Sequence, residues 1–300
     1  MTVVAVVPTS GAAAPAHVVS QRSSRTGYLL LFPGLAWLGV FFAIPFVTLF
    51  LTSIQQPVPG QSGRYMFGLQ FGNYLTAMAE YWPLFLRSFL YAGIATLLAL
   101  AIAYPLAYFI AFRGGRWRSL LLILVIAPSF ASFLLRTYAW KTILADEGVV
   151  TSTLNALHLL PDGRILNTGI AVVAGLTYNF LPFMILPLYA ALEKIDPRLI
   201  EAAGDLYASP QKAFRKVTWP LSMPGVVAGT LLTFIPAMGD YINAALLGST
   251  GNRMIGNAIQ INFIQFRDYP TASALSFVLM AAILVLVFTY IRRAGTEDLV

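Results

Sequence analysis

Apolar positions along the chain gather into six long runs, at about Tyr28–Ile54, Leu84–Phe112, Leu120–Trp140, Gly169–Leu192, Leu221–Leu247 and Ala272–Ile291. Each approaches or exceeds the roughly twenty residues that a helix needs to cross a hydrocarbon core. Pro33, Pro45, Pro105, Pro128, Pro182, Pro187 and Pro236 fall inside these runs, which spanning helices tolerate where neighbours satisfy the freed carbonyl. The pattern predicts an all-α membrane protein with a six-span domain over 28–292. Between the fourth and fifth runs lies a polar island, Glu201–Pro220. Asp196-Pro197 before it reads as an N-cap followed by proline at the first helical position. Leu199, Ile200, Ala203, Leu206 and Tyr207 then recur at helical spacing. Ser209-Pro210 repeats the cap signal and opens a second short helix with Ala213, Phe214 and Val217, which Pro220 is expected to close. Two short helices meeting at a corner, within 193–221, are therefore predicted outside the bilayer.

Composition agrees with lipid as the main solvent. The 300 residues are 58% hydrophobic and 10% charged, against about 25% charged in soluble domains. The net charge of +7 does not form a basic stripe interleaved with aromatics, so no nucleic-acid partner is expected. The basic residues instead sit beside the apolar runs and set an orientation. With the N-terminus inside, the inner segments hold Arg22, Arg25, Arg113, Arg116, Arg118, Lys194, Arg198, Lys212, Arg215, Lys216, Arg292 and Arg293, twelve of the 19 Lys and Arg. The positive-inside rule thus places both termini and the island in the cytoplasm. Residues 1–27, rich in Ala, Val, Ser and Pro with their charges at the end, read as a disordered cytoplasmic tail rather than a cleaved signal, and 293–300 as a short C-terminal tail.

The absence of cysteine removes disulfides, thiol nucleophiles and cysteine metal sites. His17 and His158 alone make no metal site, and no acid–base pair for an intramembrane enzyme is present. There is no G-x-x-x-x-G-K-[ST] loop, so any ATP that drives this chain is bound by a partner subunit. No cofactor is expected in the chain itself.

Asp240 is the sole carboxylate read as lying deep within a span. Such residues face a cavity or a partner, and a buried carboxylate suits an ammonium ligand, or the ion site of an ion-coupled carrier. It can equally bond a neighbouring helix. Tyr241 and Asn243 continue the polar patch. At the end of the third run, Tyr138 and Trp140 can make cation–π contacts with an amine or form an interfacial belt with a snorkelling Arg136 and Lys141. Arg136 is expected to pair with Asp240 or a carbonyl. Gly225-x-x-x-Gly229 predicts a close helix approach.

The island resembles the EAA loop of permease subunits in binding-protein-dependent ABC importers. Glu201, Ala202, Ala203, Val217 and Pro220 match that motif, whereas Tyr207 stands in the usual glycine place and Trp219 in that of the leucine before the closing proline. The glycine's place calls for positive φ, which a tyrosine adopts at a cost of about 1 kcal/mol, and Gly204 is expected to absorb part of the bend. The segments SFLLRTYAWKTIL, GLTYNFLPFMILPLYAALEKIDPRLIEAA, FIPAMGDYINAALLG and MIGNAIQINFI resemble spermidine/putrescine permease subunits, a likeness running from Tyr28 to the C-terminus. This implies a type I importer bundle in the bacterial inner membrane that passes a polyamine. Its implied partners are a dimer of ATP-binding subunits, a second permease subunit in a heterodimer, an extracytoplasmic solute-binding protein and membrane lipid. It also implies that Glu201, Ala202, Ala203, Tyr207, Ser209, Pro210 and Phe214 dock the ATPase, and that Asp240, Tyr241, Asn243, Tyr138 and Trp140 line the substrate pathway. Related permeases carry opines, thiamine or phosphonates, and nothing in these residues fixes the solute.

Overall fold

The computed structural model describes residues 25–58, 63–158, 160 and 163–294. Most of the expected tails, 1–24 and 295–300, lies outside the described residues; 25–27 and 293–294 are helical. Thirteen helices are present among the described residues. Residues up to Thr48 form one unit and those from Leu49 another. In the first, α1 (Arg25–Leu38) continues through a π turn (Gly39–Ala43) into α2 (Ile44–Ser53). Its apolar side chains, such as Leu30, Phe32, Trp37 and Phe42, are exposed, as suits a lipid-solvated helix.

The second unit takes in the end of α2 and then a two-stranded ribbon, β1 (Gln56–Pro57) against β2 (Tyr65–Met66), in antiparallel register. Next comes α3 (Gly72–Arg113), whose 42 residues reach about 63 Å at 1.5 Å per residue. It begins twelve residues before the second apolar run, because Pro83 is accommodated and nothing else there breaks a helix. Its face of Ala92, Ala95, Ala99, Ala103 and Ala107, each 0% exposed, lets α7 (Gly169–Glu193) pack close. α7 packs in turn on α10 (Trp219–Met238). In α10, a Cβ on Gly225 would stand 2.7 Å from the Pro187 carbonyl oxygen, and one on Gly229 2.8 Å from Met184 Sδ. The expected close approach is therefore between α10 and α7. The last helix, α13 (Tyr269–Ala294), packs on α3.

Among the described residues, five helical runs have the length and apolar character to cross a membrane, and six only if a bent pair counts as one span. That pair corrects the expected third span. α4 (Arg118–Ile126) runs into a 3-10 turn (Ala127–Phe130), Ala131 and Ser132 are extended at ψ 148° and 135°, and α5 (Phe133–Ile143) leaves at 91°. Pro128 lies at the N-terminus of the turn, and Ser132 accepts the Arg136 amide as the new helix starts. A short α6 (Val149–Ala156) follows. The fifth run breaks as well: α10 stops at Met238, and α11 (Ile242–Leu247) and α12 (Ile255–Ile261) follow as separate pieces.

Candidate functional site: a coupling corner and a buried polar break

The island folds as its caps dictate. α8 (Pro197–Asp205) starts where the Asp196 carboxylate accepts the Arg198 amide at 2.9 Å. α9 (Pro210–Ala213) starts where Ser209 Oγ accepts the Lys212 amide at 3.4 Å. Between them the chain turns at Tyr207, φ +58°. The Ala208 amide donates to the Ala203 carbonyl and the Tyr207 amide to Gly204, the paired bonds of a Schellman stop with tyrosine at the left-handed place. Gly204 lies within α8 and does not take up the bend, which these two bonds confine to Tyr207.

Pro220 does not close the second helix. Phe214–Thr218 forms a π turn, with the Trp219 amide donating to Phe214, and α10 continues from it. The wider turn shifts the hydrogen-bond register just where Pro220 lacks an N–H. The island's second helix and the span are one helical run, Pro210–Met238.

Of the residues expected to dock a partner, Glu201, Ala202, Tyr207, Ser209 and Pro210 are exposed and Ala203 is half-buried. Phe214 turns inward instead, because stacking gives its ring a better environment than water. It meets Tyr104 edge-on at 5.7 Å and Tyr108 at 6.2 Å, and Trp219 stands 5.2 Å from Tyr104. The Tyr104 hydroxyl shares a 2.8 Å hydrogen bond with Ser222. Beside these rings a cavity of ≈ 650 Å³ is lined by Tyr104, Pro105, Tyr108, Gln211, Phe214 and Arg215 among others. Tyr104 and Tyr108 escaped the sequence reading. Their i, i+4 spacing marks a common face, but nothing local names its distant partner. Arg118 adds an exposed ion pair to Glu193 at 2.8 Å.

At the other end of α10 the polar patch is not a continuous lining. Asp240 is 8% exposed and lies in the break after Met238 rather than inside a span. It caps α11, its Oδ1 accepting the Asn243 amide at 2.8 Å. Asn243, fully buried, accepts from Asn179 Nδ2 on α7 at 3.0 Å, and Asn179 also donates to Thr137 Oγ1 on α5 at 3.3 Å. Three helices are tied by this chain of side chains. Asn179 Oδ1 and Asn243 Nδ2 have no protein partner. Tyr241 is 43% exposed, its carbonyl held by Asn257 Nδ2 at 2.8 Å. Tyr138 is 52% exposed, and Trp140 stacks edge-on with Tyr178 at 5.2 Å. The expected pairing of Arg136 with Asp240 or a carbonyl is not made. The guanidinium lies 5.6 Å from the Phe133 ring and its Nε is unpartnered, because α5 turns away at the bend. Asn179 and Thr137 are the residues that sequence reasoning missed here.

Helices bent within their apolar runs, together with a capped two-helix corner whose second helix continues into one of them, are the build of a multi-span membrane protein. The chain belongs to the family of binding-protein-dependent transport system inner membrane components, which it matches over residues 103–294, and is the multi-pass inner-membrane permease subunit of an ABC importer. It is 39% identical over 277 residues to the spermidine/putrescine transport system permease protein PotB of Haemophilus influenzae, covering 92% of this chain and 95% of that protein. To PotB of Salmonella typhimurium (strain SL1344) it is 37% identical over 276 residues, 91% of this chain and 96% of that one. The fold is also that of a chain in the crystal structure of a bacterial ABC transporter involved in the import of the acidic polysaccharide alginate, with TM-score 0.64, 18% identity, and coverage of 91% of this chain and 96% of that one.

Proposed function

We propose that this permease carries polyamines of the spermidine/putrescine kind inward, driven by ATP bound and hydrolysed in a dimer of partner subunits. The observation that carries the reading is identity of 36–39% to PotB proteins along 86–92% of the chain. The chain itself binds no nucleotide in this reading. An extracytoplasmic binding protein delivers the solute, a second, different permease subunit completes the pathway, and lipid surrounds the pair. The distribution of Lys and Arg supports a cytoplasmic island and cytoplasmic termini.

The corner built from α8 and α9 is where the ATP-binding subunit docks, through Glu201, Ala202, Ala203, Tyr207, Ser209 and Pro210. Its movement passes into α10 through α9, which belongs to the same helical run, and into α3 through Phe214 and Tyr104. At the far end of α10 the same movement reaches the Asp240 break. There Tyr241, Tyr138 and Trp140 offer ring faces that attract an alkylammonium, while Asp240 and Asn243 hold α11 in place and supply negative potential behind them. A solute shifts such a gate only by its difference in affinity for the two states.

The complex reconstituted with its binding protein and ATP-binding subunits tests this. Radiolabelled spermidine or putrescine should accumulate only when ATP and the binding protein are both supplied. ATP-dependent accumulation of another solute class, with none of either polyamine, would overturn the substrate reading. Uptake that persists without ATP and stops with an uncoupler would overturn the drive.

A further inference from the structure

Leu206 and Tyr207, at the apex of the corner, are 82% and 97% exposed. A helix stop needs no large side chain there. Glycine takes the left-handed conformation freely, and any residue with a Cβ is disfavoured in it. The two Schellman bonds nevertheless hold Tyr207 at φ +58° and so fix the direction in which its ring leaves the backbone. Among the described residues the ring makes no aromatic contact and the hydroxyl no hydrogen bond. A strained backbone that presents a rigid amphipathic side chain to nothing in its own chain is built for contact with another molecule.

We infer that Leu206 and Tyr207 form an apolar knob that seats in a socket on the ATP-binding subunit, with Tyr207 as the anchor of the interface. The inference rests on the docking reading above and adds to it the residue that holds the partner and the chemistry of the socket. That socket is apolar, accepts the tyrosine hydroxyl at its floor and carries a basic rim. The rim follows from Glu201 and Asp205, exposed on α8 beside the knob. The knob lies on the polar segment joining α7 to α10, not on a spanning helix where a second permease would pack. A large aromatic projecting from a fixed backbone is the residue type that dominates binding energy at interfaces.

The test uses the whole transporter in nanodiscs with its ATP-binding subunit titrated in. Tyr207→Gly relieves the backbone, so the thermal unfolding temperature of the permease should hold or rise. Affinity for the ATP-binding subunit should nonetheless fall by about thirtyfold, the loss typical of a truncated anchor of about 2 kcal/mol, and ATP-driven uptake should fall with it. Tyr207→Phe, which keeps the ring, should stay within about threefold of wild type. A Tyr207→Gly permease that binds the ATP-binding subunit as well as wild type would overturn the anchor and leave docking at the corner intact. A side chain that served lipid or the second permease would give that same result. Wild-type permease that retains no ATP-binding subunit would overturn the docking reading and the knob together.

Discussion

The two ends of α10 are both corners opened by an aspartate cap, and they treat that cap in opposite ways. At the island, Asp196 caps α8 in water, with its carboxylate on one amide at 2.9 Å. At the break, Asp240 caps α11 at 2.8 Å while 8% exposed, within reach of the Asn243–Asn179–Thr137 chain. The first corner leaves an apolar tip unsatisfied and the second buries polar groups. A surface cap costs little to lose because water replaces it. A buried one leaves its amide without any partner. The exposed corner is thus open to solvent, whereas the buried one is held by its own bonds.

Five substitutions would break or sharpen that contrast. The largest effect is expected at Gly225→Val, in the rod joining the two corners. Its side chain would meet the Pro187 carbonyl and Ala191 Cβ, overpacking that costs about 3 kcal/mol, and folded permease should disappear from size-exclusion profiles. Asp240→Ala should lower stability by about 2 kcal/mol in detergent unfolding, since the Asn243 amide stays buried and unpaired. Asp196→Ala, measured the same way, should cost about 1 kcal/mol or less; equal losses at the two aspartates would erase the contrast. Tyr104→Phe keeps the ring packing and removes the bond to Ser222, for about 1 kcal/mol, with ATP-driven uptake per ATP hydrolysed reporting any slack. Glu193→Gln should change stability by less than about 0.5 kcal/mol, because its ion pair with Arg118 is solvent-exposed, and the difference should vanish in high salt.

The same contrast explains what could be read from the residues alone. Asp-Pro and Ser-Pro are local signals, so both island helices follow from a few neighbouring positions, while the left-handed turn at Tyr207 is legible only through the resemblance to a loop that carries glycine there. The breaks at Ala131–Ser132 and Gly239–Tyr241 sit inside apolar runs, where hydropathy sees only a continuous span. What ends the second of these helices is set by contacts distant in sequence: Asn257 holds the Tyr241 carbonyl, and Gly256 on α12 lies against the Gly239 carbonyl with no room for a Cβ. Pro220 misled for a related reason. Proline signals a stop when the preceding ladder is α-helical, and the π turn at Phe214–Thr218 had already changed that ladder. Asp240 was identified as chemically important, but Asn179, its link to α7, lies sixty residues away in a sequence that gives no hint of the pairing.

That π turn sets an angular phase. Every residue before it, including the whole of α9, is rotated about the axis of α10 relative to where an unbroken α-helix would put it. Winding the same five residues of Phe214–Thr218 as an ordinary α-ladder would swing the corner by one residue step, about 100°, about that axis, whereas deleting one of them would leave it close to its present direction. With all five so wound, the Glu201 face would point elsewhere while every side chain of the corner kept its identity. The direction the corner faces is therefore set by the winding of one turn, as well as by the residues on its surface.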